Sequence, residues 1–175
     1  MRTVVLRVAS LALLLLLVLV GVLGTRTLQR LPNTLIYFVK EDQRSFRLEA
    51  VTRSVRQASP EVHLRRALAA LAQGPSASER AGGLTTAVPR DLELLDLRID
   101  EDVLSLDFAS GLEAGSGRAE MQARLNQILY TVTQSHEIDE VALFIEGRPL
   151  HIFSSEGIFV DHPWRRSVHA ELPLW

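Results

Sequence analysis

The chain has 175 residues, with 19 Lys and Arg against 21 Asp and Glu, a formal charge of −2 and 47% hydrophobic residues. A near-neutral chain is poorly suited to hold nucleic acid through phosphate contacts, and one this apolar is not a disordered chain. The absence of cysteine excludes disulfide frameworks, cysteine-based zinc sites, thiol catalysis and lipid attachment to an N-terminal cysteine.

No charged residue occurs between Arg7 and Arg26, and only Ser10, Gly21 and Gly24 interrupt the apolar run over 8–24. At about 1.5 Å per residue the run makes roughly 25 Å of helix, close to the thickness of a bilayer core. Residues 1–25 therefore read as an uncleaved single-pass anchor and 26–33 as a linker. The rival reading is a cleaved signal peptide, with Arg2 and Arg7 as its basic region, which would make the protein secreted. The run exceeds the usual apolar region of about 7 to 15 residues, which favours the anchor. Arg2 and Arg7 face Arg26 and Arg30 across the run, so charge barely decides orientation. A long following domain commonly translocates whatever its flanking charge. That predicts a cell-membrane protein whose C-terminal domain is extracytoplasmic.

Thr34-Leu35-Ile36-Tyr37-Phe38-Val39 is a β-prone run bounded by Pro32-Asn33 and Lys40-Glu41-Asp42, hence a buried strand. Phe46, Leu48 and Ala50 alternate with Arg47 and Glu49, a second strand paired to the first through the 40–45 turn. A helix follows. Ser59 is placed as N-cap, Pro60 suits the first helical position and Glu61 favours the positive end of the dipole. Leu64, Ala67, Leu68 and Leu71 make one apolar stripe, and Gly74-Pro75 ends the helix. Residues 76–90, rich in Ser, Ala and Gly, read as a loop. Leu95, Leu97 and Ile99, then Leu104, Leu106 and Phe108, alternate with polar residues on either side of Asp100-Glu101-Asp102, predicting a hairpin with one apolar face. After a flexible link over 111–117, Met121, Leu125, Ile128, Leu129 and Val132 mark a second helix. Val141 to Ile145 is a strand stopped by Glu146-Gly147-Arg148-Pro149, and the remaining tail adds at most a short edge strand.

The order β-β-α-β-β-α-β, with one stripe per helix, predicts an α+β domain over 34–168 and a mobile tail over 169–175. Its economical packing is two helices on one face of a mainly antiparallel sheet.

Several of these pieces resemble the GerMN domain family of sporulation, germination and envelope proteins. They are Thr34 to Val39, Leu71-Ala72-Gln73-Gly74-Pro75, Ala87-Val88-Pro89, and Leu104 to Ser110. Gln127 to Gln134 and Val141 to Pro149 complete the set, in family order. The resemblance implies a fold similar to ring-building motifs and a non-enzymatic, extracytoplasmic module, and it supplies no catalytic residues. The sequence departs from the family's named members in carrying one copy of the domain and no lipid-bearing cysteine.

A search for chemistry yields little. Ser110 follows Asp107, but no nucleophile elbow surrounds it, and turn hydrogen bonding is the simpler use of both. His151, Glu156, Asp161 and His162 lack any tight metal-ligand spacing. Asp100, Glu101, Asp102 and Asp107 suggest calcium, yet Ser105 stands where an EF-hand loop needs glycine. No catalytic, cofactor or metal site is therefore expected. Trp164-Arg165-Arg166 is the one candidate partner-binding cluster, because Trp and Arg are favoured interface anchors.

Residues 26–66 carry a net charge of +5 and residues 91–146 a net charge of −10. If the two segregate in space, the domain has faces suited to self-association or to an oppositely charged partner. The reading that follows is a membrane-anchored, non-catalytic module binding an envelope protein or cell-wall component. An envelope hydrolase and a self-assembling ring or fibre component are the alternatives.

Overall fold

A computed structural model of the chain describes residues 33–42, 45–54, 58–115, 117–134, 138, 140–160 and 163–165. The expected anchor, nearly all of the linker and the 169–175 tail lie outside the described residues. Among the described residues no helix is long and apolar enough to cross a membrane.

The expected α+β class holds, but the single sheet does not: the strands divide into two principal sheets and a small ribbon. β1 (Asn33–Asp42) and β2 (Ser45–Ser54) form an antiparallel hairpin, pairing Ile36 with Val51 and Phe38 with Glu49. Thr34, Ile36 and Phe38 alternate on the buried face.

α1 (Pro60–Gln73) has the predicted bounds and buries Leu64, Ala67, Leu68, Leu71 and Ala72. Ser59 sits at the N-cap position without a side-chain cap bond; its carbonyl instead accepts from the His63 N–H at 2.9 Å. Gly74 takes φ +78°, which glycine adopts without steric penalty, and its N–H donates to the Leu71 carbonyl.

The segment expected to be a loop contains a short helix, α2 (Ala77–Ala81), and a two-residue strand, β3 (Leu84–Thr85). Ser76 and Glu79 form a capping box, each side chain bonding the other's backbone N–H. Arg53 on β2 clamps the same carboxylate with both guanidinium nitrogens, at 2.7 and 2.6 Å, while lying over the Phe38 ring. That clamp holds the Glu79 carboxyl down at about 2, from an ordinary 4.5.

The predicted hairpin is β4 (Leu94–Asp100) and β5 (Val103–Phe108), joined by the two-residue turn Glu101-Asp102. One detail differs. Leu94 pairs with Phe108 and Asp96 with Asp107, so Leu95 is the extra residue of a β-bulge and stands 45% exposed. The apolar face is therefore Leu94, Leu97 and Ile99 against Leu104, Leu106 and Phe108.

A 3-10 turn (Ser110–Glu113) buries Leu112 and leads to α3 (Arg118–Val132). β6 (Glu140–Ile145) then returns parallel to β5, Leu106 beside Leu143. This is the one parallel pair among the described strands, which otherwise pair antiparallel as expected, and α3 is the long crossover that it requires. β7 (Arg148–Pro149) folds back on the end of β6, and β10 (Trp164–Arg165) pairs with its start along the same edge, giving the order β10-β6-β5-β4. β8 (Ile152–Phe153) and β9 (Ile158–Phe159) form the separate ribbon. Inward residues of both principal sheets, α1 and α3 share one core.

α3 is buried on more than its predicted stripe. Arg124, Asn126, Gln127 and Thr131 are buried alongside Met121, Leu125, Ile128, Leu129 and Val132. The reason is that α3 lies along the edge of β1 opposite β2 and completes its hydrogen bonding. Thr131 Oγ1 accepts from the Tyr37 N–H at 3.2 Å, and Gln127 Nε2 donates to the Tyr37 carbonyl at 2.9 Å. Gln134 Oε1 accepts from the Leu35 N–H at 2.6 Å, and its Nε2 donates to the Leu35 carbonyl at 3.0 Å. Two side chains one turn apart on α3 and a third just past its end thus stand where a neighbouring strand would otherwise pair.

Candidate functional site

The structure disperses most of the residues singled out in the sequence. Trp164 is 4% exposed and stacks edge-on against Tyr130, which meets Tyr37 in the same way. Its ring belongs to the core rather than to a docking surface. Arg165 forms an ion pair with Glu140 on the adjacent strand, and Arg166 lies outside the described residues.

Asp107 and Ser110 serve the turn between β6 and β7. Both Asp107 oxygens accept from the Gly147 N–H at 3.0 Å, and the Ser110 N–H donates to Glu146 Oε1 at 3.3 Å. Hydrogen bonding to Ser110 holds the Glu146 carboxyl below its ordinary value. Glu156 accepts from the Gly117 N–H at 3.2 Å, tying the β8–β9 turn to the start of α3. Asp161 and His162 lie outside the described residues. Asp100, Glu101 and Asp102 are exposed at the hairpin turn. Among the described residues no group of three His, Asp or Glu is placed to hold a metal ion.

The feature that reading the sequence missed is the outward face of β4, β5 and β6. Inward residues of these strands fill the core, so the alternate residues form rows across the sheet. Asp96, Asp107 and Phe144 make one row; Arg98, Ser105 and Ala142 make the next. Five of these six residues, with Gly147, line an open cleft of about 230 Å³. Two aspartates directly opposite one another would repel. Each is offset locally: Arg98 meets Asp96 at 2.7 Å and Arg65, from α1, lies 3.9 Å away, while Gly147 donates to Asp107. Arg65 belongs to the basic segment of the sequence and Asp96 to the acidic one, so the two segments meet here. The polar phase of the alternation was the available signal, but only the pairing of three strands, one of them parallel, brings these residues together.

A second cleft, of about 240 Å³, lies between β1, β3 and the first turns of α3, lined largely by Val39, Ala87, Ala119 and Ala123. On the ribbon, Ile152 and Phe159 face each other across the strands, 52% and 80% exposed.

Comparison with solved structures gives the same fold at low identity. The chain is similar to the tandem GerMN domains of the sporulation protein GerM from Bacillus subtilis, at 22% identity, 79% coverage and a TM-score of 0.61. It spans 45% of the length of that tandem structure. The first GerMN domain of the same protein matches at 18% identity and a TM-score of 0.64, with 78% of this chain and 98% of that one covered. A putative lipoprotein from Clostridium perfringens matches at 21% identity and a TM-score of 0.54, with 78% and 88% covered. No curated protein matches the chain. A family model described as sporulation and spore germination, Germane, matches residues 35–151, which is most of the chain, and the protein accordingly belongs to this GerMN-domain family.

Proposed function

We propose that the protein is a membrane-anchored, non-catalytic binding module that meets an envelope protein or cell-wall component outside the cell membrane, in a process related to sporulation or the cell wall. The observation that carries this reading is the outward face of β4, β5 and β6. Its aromatic, donor and acceptor groups lie open on a rigid sheet whose other side is core, the arrangement of a recognition surface. Membership of the sporulation and germination family supports the setting. The uncharged run over 8–24 supports a tether that confines the domain to the membrane surface.

Asp107 and Ser110 bond the β6–β7 turn, which favours binding over hydrolysis. Self-assembly remains a secondary reading; the exposed Ile152–Phe159 pair is the observation in its favour.

The test uses the full chain in its own membrane. Protease added outside intact, wall-stripped cells is expected to remove the domain, and photo-cross-linking from position 98 is expected to capture envelope components. Digestion only after lysis, or cytoplasmic cross-links alone, would overturn the reading.

A further inference from the structure

We infer that the cleft over Phe144 is a binding site for a neutral carbohydrate, one pyranose ring of an oligosaccharide chain seated across β4, β5 and β6. This rests on the reading of the domain as a binding module and names the ligand class of its open face.

Three observations carry it. The first is the platform. Phe144 is half-buried on the outward face of β6, flanked in its row by Asp107 of β5 and Pro149 of β7. The negative face of an aromatic ring attracts positively polarised C–H groups, which the flat side of a pyranose presents in a cluster.

The second is the distribution of hydrogen-bonding groups around the platform. Asp96 and Asp107 offer carboxylate acceptors, Arg98 offers donors and Ser105 offers both. Asp107 is oriented by the Gly147 N–H, yet each of its oxygens keeps a lone pair free. Adjacent hydroxyls of a sugar are each donor and acceptor, so they match a lining that alternates the two. Arg98 also touches Asp96, which holds the planar groups ready before a ligand arrives.

The third is electrostatic, and it selects among polar ligands. Arg98 and, at 3.9 Å, Arg65 both pair with Asp96, and the Gly147 N–H bonds Asp107, so two guanidinium groups stand against two carboxylates around the cleft. With no net charge to neutralise, the site has no reason to prefer a cationic or an anionic ligand, whereas a neutral polyhydroxyl compound uses every group present. The volume agrees: about 230 Å³ lies below the roughly 300 Å³ at which drug-sized pockets begin and suits a single sugar ring. The row from Asp96 to Phe144 spans two strand spacings, about 10 Å, so the next ring of a chain would run beyond it.

The test is NMR titration of the full-length protein in a detergent without a sugar head group, using chitotetraose and cellotetraose as probes. The expected result is saturable shifts at Arg98, Ser105, Asp107 and Phe144 with at least one probe. Arg98→Ala removes an exposed side chain and is expected to weaken binding about tenfold. Phe144→Leu keeps the apolar volume but removes the ring face, and is expected to weaken binding by about three- to tenfold. Both variants are checked for an unchanged spectrum before titration. No shift with either sugar at about 10 mM would overturn the site, since even millimolar affinity is then near saturation. So would binding by both variants as tight as that of the unaltered protein, or selective binding of a lysine- or aspartate-rich peptide in place of the sugars. Envelope cross-links with no sugar binding would remove this site and leave the binding module; sugar binding with only cytoplasmic cross-links would do the reverse.

Discussion

The edge of β1 and the outward face of β4, β5 and β6 use similar side chains for opposite ends. Along β1, the amides of Gln127 and Gln134 and the hydroxyl of Thr131 are spent on backbone groups within the protein. Across the second sheet, Asp96, Arg98, Ser105 and Asp107 border an open cleft and keep bonding capacity in reserve. Polar residue type alone therefore carries no functional information here. What separates scaffold from site is whether a group's partners lie inside the molecule, and that difference sets the energetic cost of losing it.

The sharpest way to break the contrast is at Arg124, which is 3% exposed and is held below its usual pKa by burial. It donates to the carbonyls of Ala87, Leu112 and Ala114, and to Glu120, so it pins two loops to α3. Arg124→Met should cost about 3 kcal/mol in urea unfolding, because three carbonyls, that of Leu112 buried, lose their donor. Gln127→Leu comes next, at about 2 kcal/mol, because it removes the side-chain donor to the Tyr37 carbonyl and the acceptor of the Ala87 N–H.

Glu79→Gln should cost about 1 kcal/mol near neutral pH by weakening both the capping box and the Arg53 clamp. Because folding lowers the Glu79 pKa, its stabilisation is complete above its ordinary 4.5 and is lost as pH falls toward about 2. The gap between wild type and variant should therefore narrow over that acid range. Thr34→Val should have the opposite sign. The Thr34 hydroxyl is fully buried without a hydrogen-bond partner among the described residues, and removing it should stabilise by about 1 kcal/mol. The smallest effect belongs to the other region: Arg98→Ala should change stability by less than about 0.5 kcal/mol, while altering what the face binds.

The elements legible in the sequence were those whose periodicity is local. The β1 run, the α1 stripe with Gly74-Pro75 behind it, and the Leu104–Leu106–Phe108 alternation all mark burial within one segment. α2 was missed although Ser76 and Glu79 spell its capping box, because five residues show no apolar stripe. Leu95 was assigned inward because strict alternation makes no allowance for a bulge. The burial of Arg124 and Gln127 has no counterpart in the apolar stripe, because a helical wheel cannot foresee a strand edge or a loop needing partners. Trp164 reads as an anchor because Trp and Arg are favoured at interfaces, whereas β10 pairing turns its ring inward. The outward cleft was invisible for a related reason: its residues come from strands joined by a parallel crossover, and no local pattern announces which strand will lie beside which.

The Leu95 bulge bears on how this sheet tolerates changes in chain length. In a strand whose side chains alternate, gaining one residue ordinarily turns every later one over, which would drive Asp96 and Arg98 into the core. Here the surplus residue is looped out at the strand's first pairing, so the chain ahead of it can lengthen or shorten by one while Asp96 and Arg98 keep facing outward beside Asp107 and Ser105.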